Sequence, residues 1–139
     1  MRARPAPERR TVPYVCERTT TISPWWVGAT WCRPCLAEMS KLADVEDRWK
    51  ADGYRLILVA VATRQTAERL RELASQEPLP GRLVFDANGS VAAAFGAATI
   101  PTHALVDRHG RIVARSGVLD AAFKQAVERL VRQEGRVKP

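Results

Sequence analysis

Apolar positions in the first third of the chain change from a strand-like run to a helix-like spacing. Residues 19–28 are apolar, aromatic and β-prone, although Pro24 interrupts this predicted strand. A helix follows to about Lys50, with Pro34 in its first turn and Gly53 just past its end. Its apolar positions recur at spacings of three and four residues: Leu36, Met39, Leu42, Val45 and Trp49.

The same alternation continues through the middle of the chain. Residues 55–62 form a continuous β-branched and aliphatic run, which is typical of a central strand covered on both faces. Thr66 precedes a second predicted helix that contains Leu70, and residues 78–81 break that helix. Residues 83–85 predict a short third strand.

The last third of the chain predicts a turn, a short helix, a hairpin and a final helix. Residues 86–89 form the turn, and Ser90 can cap the short Ala-rich helix. The hairpin strands are residues 102–106 and 111–115. The final helix has one apolar face, made of Phe123, Ala126, Val127, Leu130 and Val131. Together these elements predict an α/β fold, with a central mixed β-sheet flanked by helices on both faces.

The chain has the length of one domain, because 139 residues with 46% hydrophobic content can build one core. We expect a poorly ordered basic lead segment at residues 1–18, the α/β domain at residues 19–134 and a tail at residues 135–139. No apolar run approaches the roughly 18 residues of a membrane span. The charged start shows no secretory signal. We expect a monomer that does not insert into a membrane. Because no signal or anchor is visible in the sequence, we expect this chain in the cytoplasm.

The net charge of +7 lies mainly at the two ends of the chain. Residues 1–10 carry +3 and residues 131–139 carry +2, which leaves +2 for residues 11–130. A nucleic-acid binder usually concentrates its basic residues on one folded face. We therefore interpret the basic ends as solubilising tails and exclude nucleic acid as a partner.

Cysteine carries the candidate chemistry, and the three cysteines differ in role. Cys32 and Cys35 are separated by two residues, whereas Cys16 lies in the lead segment and is most simply an unpaired thiol. A Cys-x-x-Cys pair is also half of a zinc site. The other zinc ligands would come from Cys16, His103 and His109, which form no second pair at ligand spacing. We therefore expect no metal and no cofactor, and we interpret His103 as an ordinary strand residue.

Cys32 lies where a predicted strand meets the start of a helix. Unpaired backbone N–H groups and the helix dipole favour negative charge there, and Arg33 adds a cation. The thiolate is the reactive form of cysteine. Two cysteines in a first helical turn come within disulfide reach, with Cys32 outward and Cys35 inward. This geometry predicts that Cys32 attacks a disulfide and that Cys35 resolves the mixed disulfide.

Residues 28–35, Gly-Ala-Thr-Trp-Cys-Arg-Pro-Cys, resemble the Trp-Cys-x-Pro-Cys signature of the thioredoxin superfamily. Within that superfamily, residues 35–39 are similar to the TlpA/ResA-type thiol-disulfide oxidoreductases. The resemblance extends over about residues 25–132 and includes residues 83–89, 94–96, 100–102 and 105–113. It implies a thioredoxin-like fold.

The resemblance also implies an activity and partners. It favours a protein-disulfide reductase that exchanges electrons with the disulfides or dithiols of protein substrates and with an upstream thiol-disulfide donor. Relatives of this type work largely outside the cytoplasm, and apocytochrome c maturation is one role that the resemblance indicates. Upstream of Trp25 the chain matches no family segment. A truncated start that has lost a membrane anchor is therefore a further hypothesis.

The resemblance implies roles for residues outside the dithiol. Pro101 matches a cis-proline that faces the two cysteines, and Ile100 would offer its backbone to an extended substrate. Glu38 matches an acid that adjoins the dithiol and handles the proton of Cys35, whereas its helix position alone predicts an exposed carboxylate. The other expected substrate-binding residues are Trp31, Arg33, Pro34 and Thr99.

Two departures from the family pattern narrow this expectation. Ser40 stands where most relatives have a helix-kinking proline, and Trp26 stands where thioredoxin itself has a buried aspartate. The second departure makes thioredoxin itself a poorer match than the TlpA/ResA type. We expect Trp25, Trp26 and Trp49 to lie in the core.

Two other functions compete with the oxidoreductase. A peroxiredoxin shares the fold, but its Thr-x-x-Cys placement is missing because only one residue separates Thr30 from Cys32. The alternative that stays open is a non-catalytic interaction module in which Cys32 and Cys35 form a structural disulfide.

Overall fold

The computed structural model describes residues 22–77 and 79–134, which contain five strands and four helices. In chain order they are β1 (Ser23–Gly28), α1 (Arg33–Ala51), β2 (Ile57–Val61), α2 (Ala67–Gln76), β3 (Arg82–Asp86), α3 (Ser90–Ala94), β4 (Thr102–Val106), β5 (Ile112–Ser116) and α4 (Ala121–Glu134). The predicted lead segment at residues 1–18, Cys16 within it, and the predicted tail at residues 135–139 lie outside the described residues.

The five strands form one mixed sheet in the order β3-β2-β1-β4-β5. Strand β1 pairs in parallel with β2, which pairs in parallel with β3. On its other side β1 pairs antiparallel with β4, and β4 pairs antiparallel with β5. Parallel neighbours need a crossover connection, and α1 and α2 supply these connections. The predicted mixed α/β sheet is confirmed.

Helices cover both faces of the sheet, because alternate residues of each strand point to opposite sides. Trp26 belongs to a core cluster that includes residues of α1 and α4, whereas Trp25 packs in a second cluster with α3. Trp25, Trp26 and Trp49 are all buried, as predicted. The apolar face of α4 is also confirmed, since Phe123 and Val127 are buried.

The predicted first strand is confirmed over residues 23–28, and Pro24 lies within it. Pro24 lies opposite Leu105 of β4, and the pairing of β1 with β2 begins only at the next residue, Trp25. A proline cannot donate a backbone hydrogen bond, which restricts it to places where no donor is needed. Because the pairing of β1 with β2 begins at Trp25, Pro24 needs no backbone donor on the side that faces β2.

The cap of α3 also differs from the prediction. Ser90 is the first residue of α3 rather than its cap, and the cap position is Gly89, whose φ of 74° suits glycine. The side chain of Asp86 supplies the missing acceptors instead. Its two oxygens accept hydrogen bonds from the backbone N–H groups of Val91 and Ala92, at 3.1 and 2.9 Å. The end of β3 is thereby tied to the first turn of α3.

The helix predicted after Thr66 and the predicted hairpin are both confirmed. Thr66 caps α2, because its hydroxyl oxygen accepts a hydrogen bond from the N–H of Arg69 at 3.2 Å. Asp107 shapes the β4–β5 hairpin, since its Oδ1 accepts from the N–H groups of His109 and Arg111 at 2.8 and 2.9 Å.

Candidate functional site

Cys32 and Cys35 form a disulfide at the start of α1. Their Cα atoms are 5.2 Å apart, and the N–H of Cys35 donates to Sγ of Cys32 at 3.3 Å. Both residues are buried, with 7% of Cys32 and none of Cys35 exposed. The predicted outward Cys32 and inward Cys35 thus differ only modestly in exposure, but the accessible surface of the pair belongs to Cys32.

The local sequence places Cys32 at the N-cap of α1. Its backbone is extended, and its C=O accepts the first helical bond, from Leu36, at 3.1 Å. Arg33 and Pro34 follow in the first turn, where proline costs no hydrogen bond. The first turn contains no acidic residue. A negative charge on the Cys32 sulfur is favoured there by the helix dipole and by unpaired N–H groups.

Trp31 forms an exposed apolar surface beside Cys32. Its side chain is 43% exposed, and its indole N–H donates to the carbonyl oxygen of Thr63 at 2.6 Å. The guanidinium of Arg64 lies 5.6 Å from the centre of the Trp31 ring, within cation–π range. Arg64 has a φ of 57°, in the left-handed region that non-glycine residues seldom adopt. Residues 63 and 64 therefore hold Trp31 in place.

Gln65 fastens the segment that precedes Cys32, and sequence reasoning missed it. Its Oε1 accepts from both the N–H and the hydroxyl of Thr30, at 3.1 and 2.8 Å. Its Nε2 donates to the carbonyl oxygen of Val61, at the end of β2. Gln65 is buried, so it links the end of β2 to the approach to Cys32 inside the protein. A glutamine in a polar stretch gives no pattern that would have predicted this contact.

An open groove of about 640 Å³ lies beside Trp31. It brings together three of the predicted substrate-binding residues, Trp31, Thr99 and Ile100. The end of β3 and the turn before α3 form its other wall, with Asp86 held by its capping bonds. Arg33 and Pro34 are exposed but do not line the groove.

The Ile100–Pro101 peptide bond is cis, as the resemblance implies. Pro101 is buried, Ile100 is half-buried and Thr99 is exposed. The hydroxyl of Thr102 donates to the carbonyl oxygen of Thr99 at 2.6 Å, which closes this turn on itself. The backbone before Pro101 is therefore presented at the edge of the groove.

Glu38 is buried, so the exposed position that the helix pattern predicts is wrong. It follows Cys35 by three residues and shares the buried face of α1 with Cys35 and Leu42. Its Oε2 accepts the backbone N–H of Leu119 at 2.8 Å, and its Oε1 accepts the indole N–H of Trp26 at 3.4 Å. A carboxylate can be buried at modest cost only when such partners surround it.

His103 completes the surroundings of Glu38. Its Nε2 lies 3.0 and 3.1 Å from the two carboxylate oxygens, and the residue is 1% exposed. His103 pairs with Trp26 across β1 and β4, so both reach Glu38 from adjacent strands. The interpretation of His103 as an ordinary strand residue is thus incomplete, because its spacing from Glu38 in the sequence gave no signal of the contact.

No group of three histidine, cysteine or acidic side chains within residues 22–77 and 79–134 could hold a metal ion. Of the proposed zinc ligands, His103 is buried against Glu38 and His109 is exposed on the hairpin. In the same described ranges, each helix is either too short or too polar to cross a membrane.

Solved structures of thioredoxin-like proteins share this fold. A thioredoxin-like protein from Porphyromonas gingivalis aligns with a TM-score of 0.66 and 27% identity, over 85% of this chain and 78% of its own. A secreted disulfide oxidoreductase from Mycobacterium tuberculosis, homologous to DsbE of E. coli, aligns with a TM-score of 0.61 and 18% identity, over 83% of each chain. At 18% identity the likeness concerns the fold alone. The predicted thioredoxin-like fold is confirmed.

Sequence relatives give the family. The thiol-disulfide oxidoreductase ResA of Bacillus thuringiensis subsp. konkukian is 26% identical over 84 residues, which are 60% of this chain and 47% of the relative. The chain therefore spans about half the length of the curated relatives it matches. The model of the AhpC/TSA family matches residues 25–115, more than half of the chain. The chain belongs to the AhpC/TSA family and, as its sequence predicts, resembles the thiol-disulfide oxidoreductases of the ResA type.

Proposed function

We propose that this protein is a thiol-disulfide oxidoreductase that exchanges electrons with protein substrates through Cys32 and Cys35. The observation that carries the proposal is a disulfide at the N-cap of α1, with Cys35 fully buried and the remaining exposed surface on Cys32. A helix N-terminus favours the thiolate that attacks a disulfide. The ResA relatives, described as thiol-disulfide oxidoreductases, support the same reaction class.

The reduction of a substrate proceeds in two exchanges. The thiolate of Cys32 attacks one sulfur of the substrate disulfide, whose second sulfur leaves as a thiolate and takes a proton from water. Cys35 then loses its proton and attacks Cys32, so that the mixed disulfide breaks and the first substrate sulfur is released and protonated. Two electrons pass from the protein dithiol to the substrate, and the Cys32–Cys35 disulfide is formed.

The groove beside Trp31 supports an extended polypeptide as the substrate. Thr99 and Ile100, the two residues before the cis-proline, form one edge, and exposed Trp31 forms another. Backbone groups at such an edge bind an extended segment by main-chain hydrogen bonds without demanding one sequence. Pro101 organises this edge in the proposal, while exposed Arg33 and Pro34 contact substrate next to the sulfurs.

The proposed partners are protein disulfides or dithiols and an upstream thiol-disulfide donor that restores the reduced state. The proposed place of action is outside the cytoplasm, where relatives of the TlpA/ResA type largely work. The proposed oligomeric state is a monomer.

An insulin-reduction assay tests the proposal. With dithiothreitol as the donor, the wild-type protein should accelerate the precipitation of insulin chains, and Cys32→Ser should return it to the rate without protein. Cys16→Ser is the matched control and should behave as wild type. A wild-type curve that coincides with the protein-free curve would favour the interaction module with a structural disulfide. An assay with hydrogen peroxide in place of insulin tests for peroxidase activity. We expect none, because only one residue separates Thr30 from Cys32 and the Thr-x-x-Cys placement of a peroxiredoxin is missing.

A further inference from the structure

We propose that His103 is a positioning residue that keeps Glu38 ready to take the proton of Cys35. The inference rests on the proposed function and assigns a residue to its second step. The observation is that one buried carboxylate receives three separate partners from three parts of the fold: His103 of β4, Trp26 of β1 and the Leu119 amide before α4.

The three partners fix the orientation of the Glu38 carboxylate. The Trp26 indole and the Leu119 amide can only donate, so each oxygen of Glu38 already accepts one hydrogen bond. Nε2 of His103 lies within 3.1 Å of both oxygens, and as an N–H it is a third donor. Three hydrogen-bond partners leave the carboxylate little freedom to rotate away from its place on the buried face of α1.

Glu38 lies one helical turn after Cys35 on α1. Residues three apart on a helix are neighbours on one face, with Cβ atoms about 5–6 Å apart. Cys35 and Glu38 are both on the buried face of α1. Water has little access there, since Cys35 is fully buried and Glu38 is 6% exposed. The thiol of Cys35 therefore needs a neighbouring base rather than solvent.

The packing of His103 leaves its ring little freedom. The ring lies 5.4 Å from that of Phe123, and the backbone of His103 is paired with Trp26 on one side and Ser116 on the other. A Cβ at Gly28 would overlap the ring of Trp26, so glycine there lets the indole lie where it reaches Glu38. The carboxylate is held from both strands.

In the second exchange, Cys35 loses one proton and one sulfur–sulfur bond replaces another. The Cys35 proton moves to Glu38, the Cys35 sulfur bonds to the Cys32 sulfur, and the mixed disulfide releases the substrate thiolate, which is protonated by water. The titratable group that contacts Glu38 is His103 from β4, and Cys35 is the titratable group that lies one turn before it on the buried face of α1. Strand β1 and the segment before α4 present the Trp26 indole and the Leu119 amide, which do not titrate.

The test is a single-turnover reaction of the reduced 139-residue chain with a peptide that contains one intramolecular disulfide. Acid quenching and alkylation give the amounts of mixed disulfide and of released dithiol with time. His103→Leu removes the donor and should lengthen the lifetime of the mixed disulfide about tenfold near neutral pH, while mixed-disulfide formation at Cys32 keeps its rate.

Two further variants separate hydrogen bonding from packing. His103→Gln can place an amide N–H at the position of Nε2 and should restore the wild-type lifetime. His103→Asn has a shorter side chain that cannot reach Glu38, and it should behave as His103→Leu, which keeps the test available if the leucine variant does not fold. His109→Leu alters the exposed histidine on the hairpin and should leave both steps unchanged.

The pH dependence distinguishes a proton role from a packing role. Alkaline solution ionises Cys35 without help from Glu38, so the difference between His103→Leu and wild type should shrink as the pH rises. A difference that is constant with pH, or lifetimes equal to wild type in both the leucine and asparagine variants, would overturn the role of His103. A wild-type protein that forms no mixed disulfide would instead contradict the proposed function.

Discussion

The two sulfurs of one disulfide lie in very different surroundings. Cys32 is flanked in the chain by exposed Trp31 and exposed Arg33, and Trp31 lines the groove together with Ile100. Cys35 shares the buried face of α1 with Glu38, a carboxylate that has three hydrogen-bond partners. In the proposed function, the outer side binds a polypeptide and the inner side handles a proton that water does not reach. The proposal therefore gives the two sulfurs separate tasks.

The inner side should be the more sensitive to substitution. Glu38→Leu leaves the Trp26 indole and the Leu119 amide buried without acceptors, together with an unpaired His103. We expect a loss of about 3–5 kcal/mol in the free energy of unfolding, as for a buried pair with one partner removed. Urea unfolding measures it, with Glu72→Leu, an exposed carboxylate of α2, as the control. A loss no larger than the control's would contradict the buried network.

On the outer side, Gln65 makes buried hydrogen bonds with Thr30 and Val61. Their loss should lower the free energy of unfolding by less than the loss of Glu38 does. Gln65→Ala removes the acceptor for both donors of Thr30 and the donor for Val61. We expect a loss of about 1–3 kcal/mol in unfolding free energy and slower attack by Cys32, because the segment before it is no longer held. Gln125→Ala, on the exposed side of α4, is the control for stability. Unchanged attack by Cys32 in the Gln65 variant would show that these hydrogen bonds do not position the sulfur.

A substitution in the wall of the groove should lower the free energy of unfolding by less than either change above. Asp86→Ala removes the acceptors for the first turn of α3, and a lost helix cap costs about 0.5–2 kcal/mol. Substrate affinity should fall along with stability, since the turn after Asp86 lines the groove. Asp44→Ala, exposed on α1, should change neither quantity. Equal stability of the two variants in urea would contradict the capping role.

The smallest expected effect concerns the residue over Trp31. Both Arg64→Ala and Arg64→Gly lose the ring contact, but only glycine adopts a φ of 57° without a steric penalty. The glycine variant should therefore be the more stable of the two by about 1 kcal/mol. Thermal or urea unfolding of the pair decides it. The opposite order of stability would show that the left-handed backbone is lost in the variants.

The sequence predicted the outer side better than the inner side, for a physical reason. Periodic apolar spacing and turn residues predicted every described strand and helix, and a local motif placed Cys32 and Cys35 at a helix start. These signals depend on residues close together in the chain. The contacts of Glu38 join residues 12, 65 and 81 positions away, so they depend on the register of β1 against β4 and leave no local pattern.

The places where the structure departs from a local residue pattern also depend on contacts between distant parts of the chain. Ser90 satisfied the local pattern of a cap, yet Asp86 supplies the acceptors because the chain turns at Gly89 and brings the end of β3 beneath α3. Pro24 violated the local pattern of a strand, yet the sheet tolerates it where the β2 ladder has not begun. In each case the local structure depends on contacts with residues distant in the sequence, which the local residue type does not reveal.

The division of labour between the two sulfurs is tested most directly by trapping. In a Cys16→Ser background, the Cys35→Ser and Cys32→Ser variants are each reduced, mixed with a disulfide-containing peptide and analysed by mass spectrometry. The account predicts a stable peptide adduct on Cys32 in the Cys35→Ser variant and none in the Cys32→Ser variant. An adduct that forms as readily on Cys35, or one that forms on neither sulfur, would contradict it.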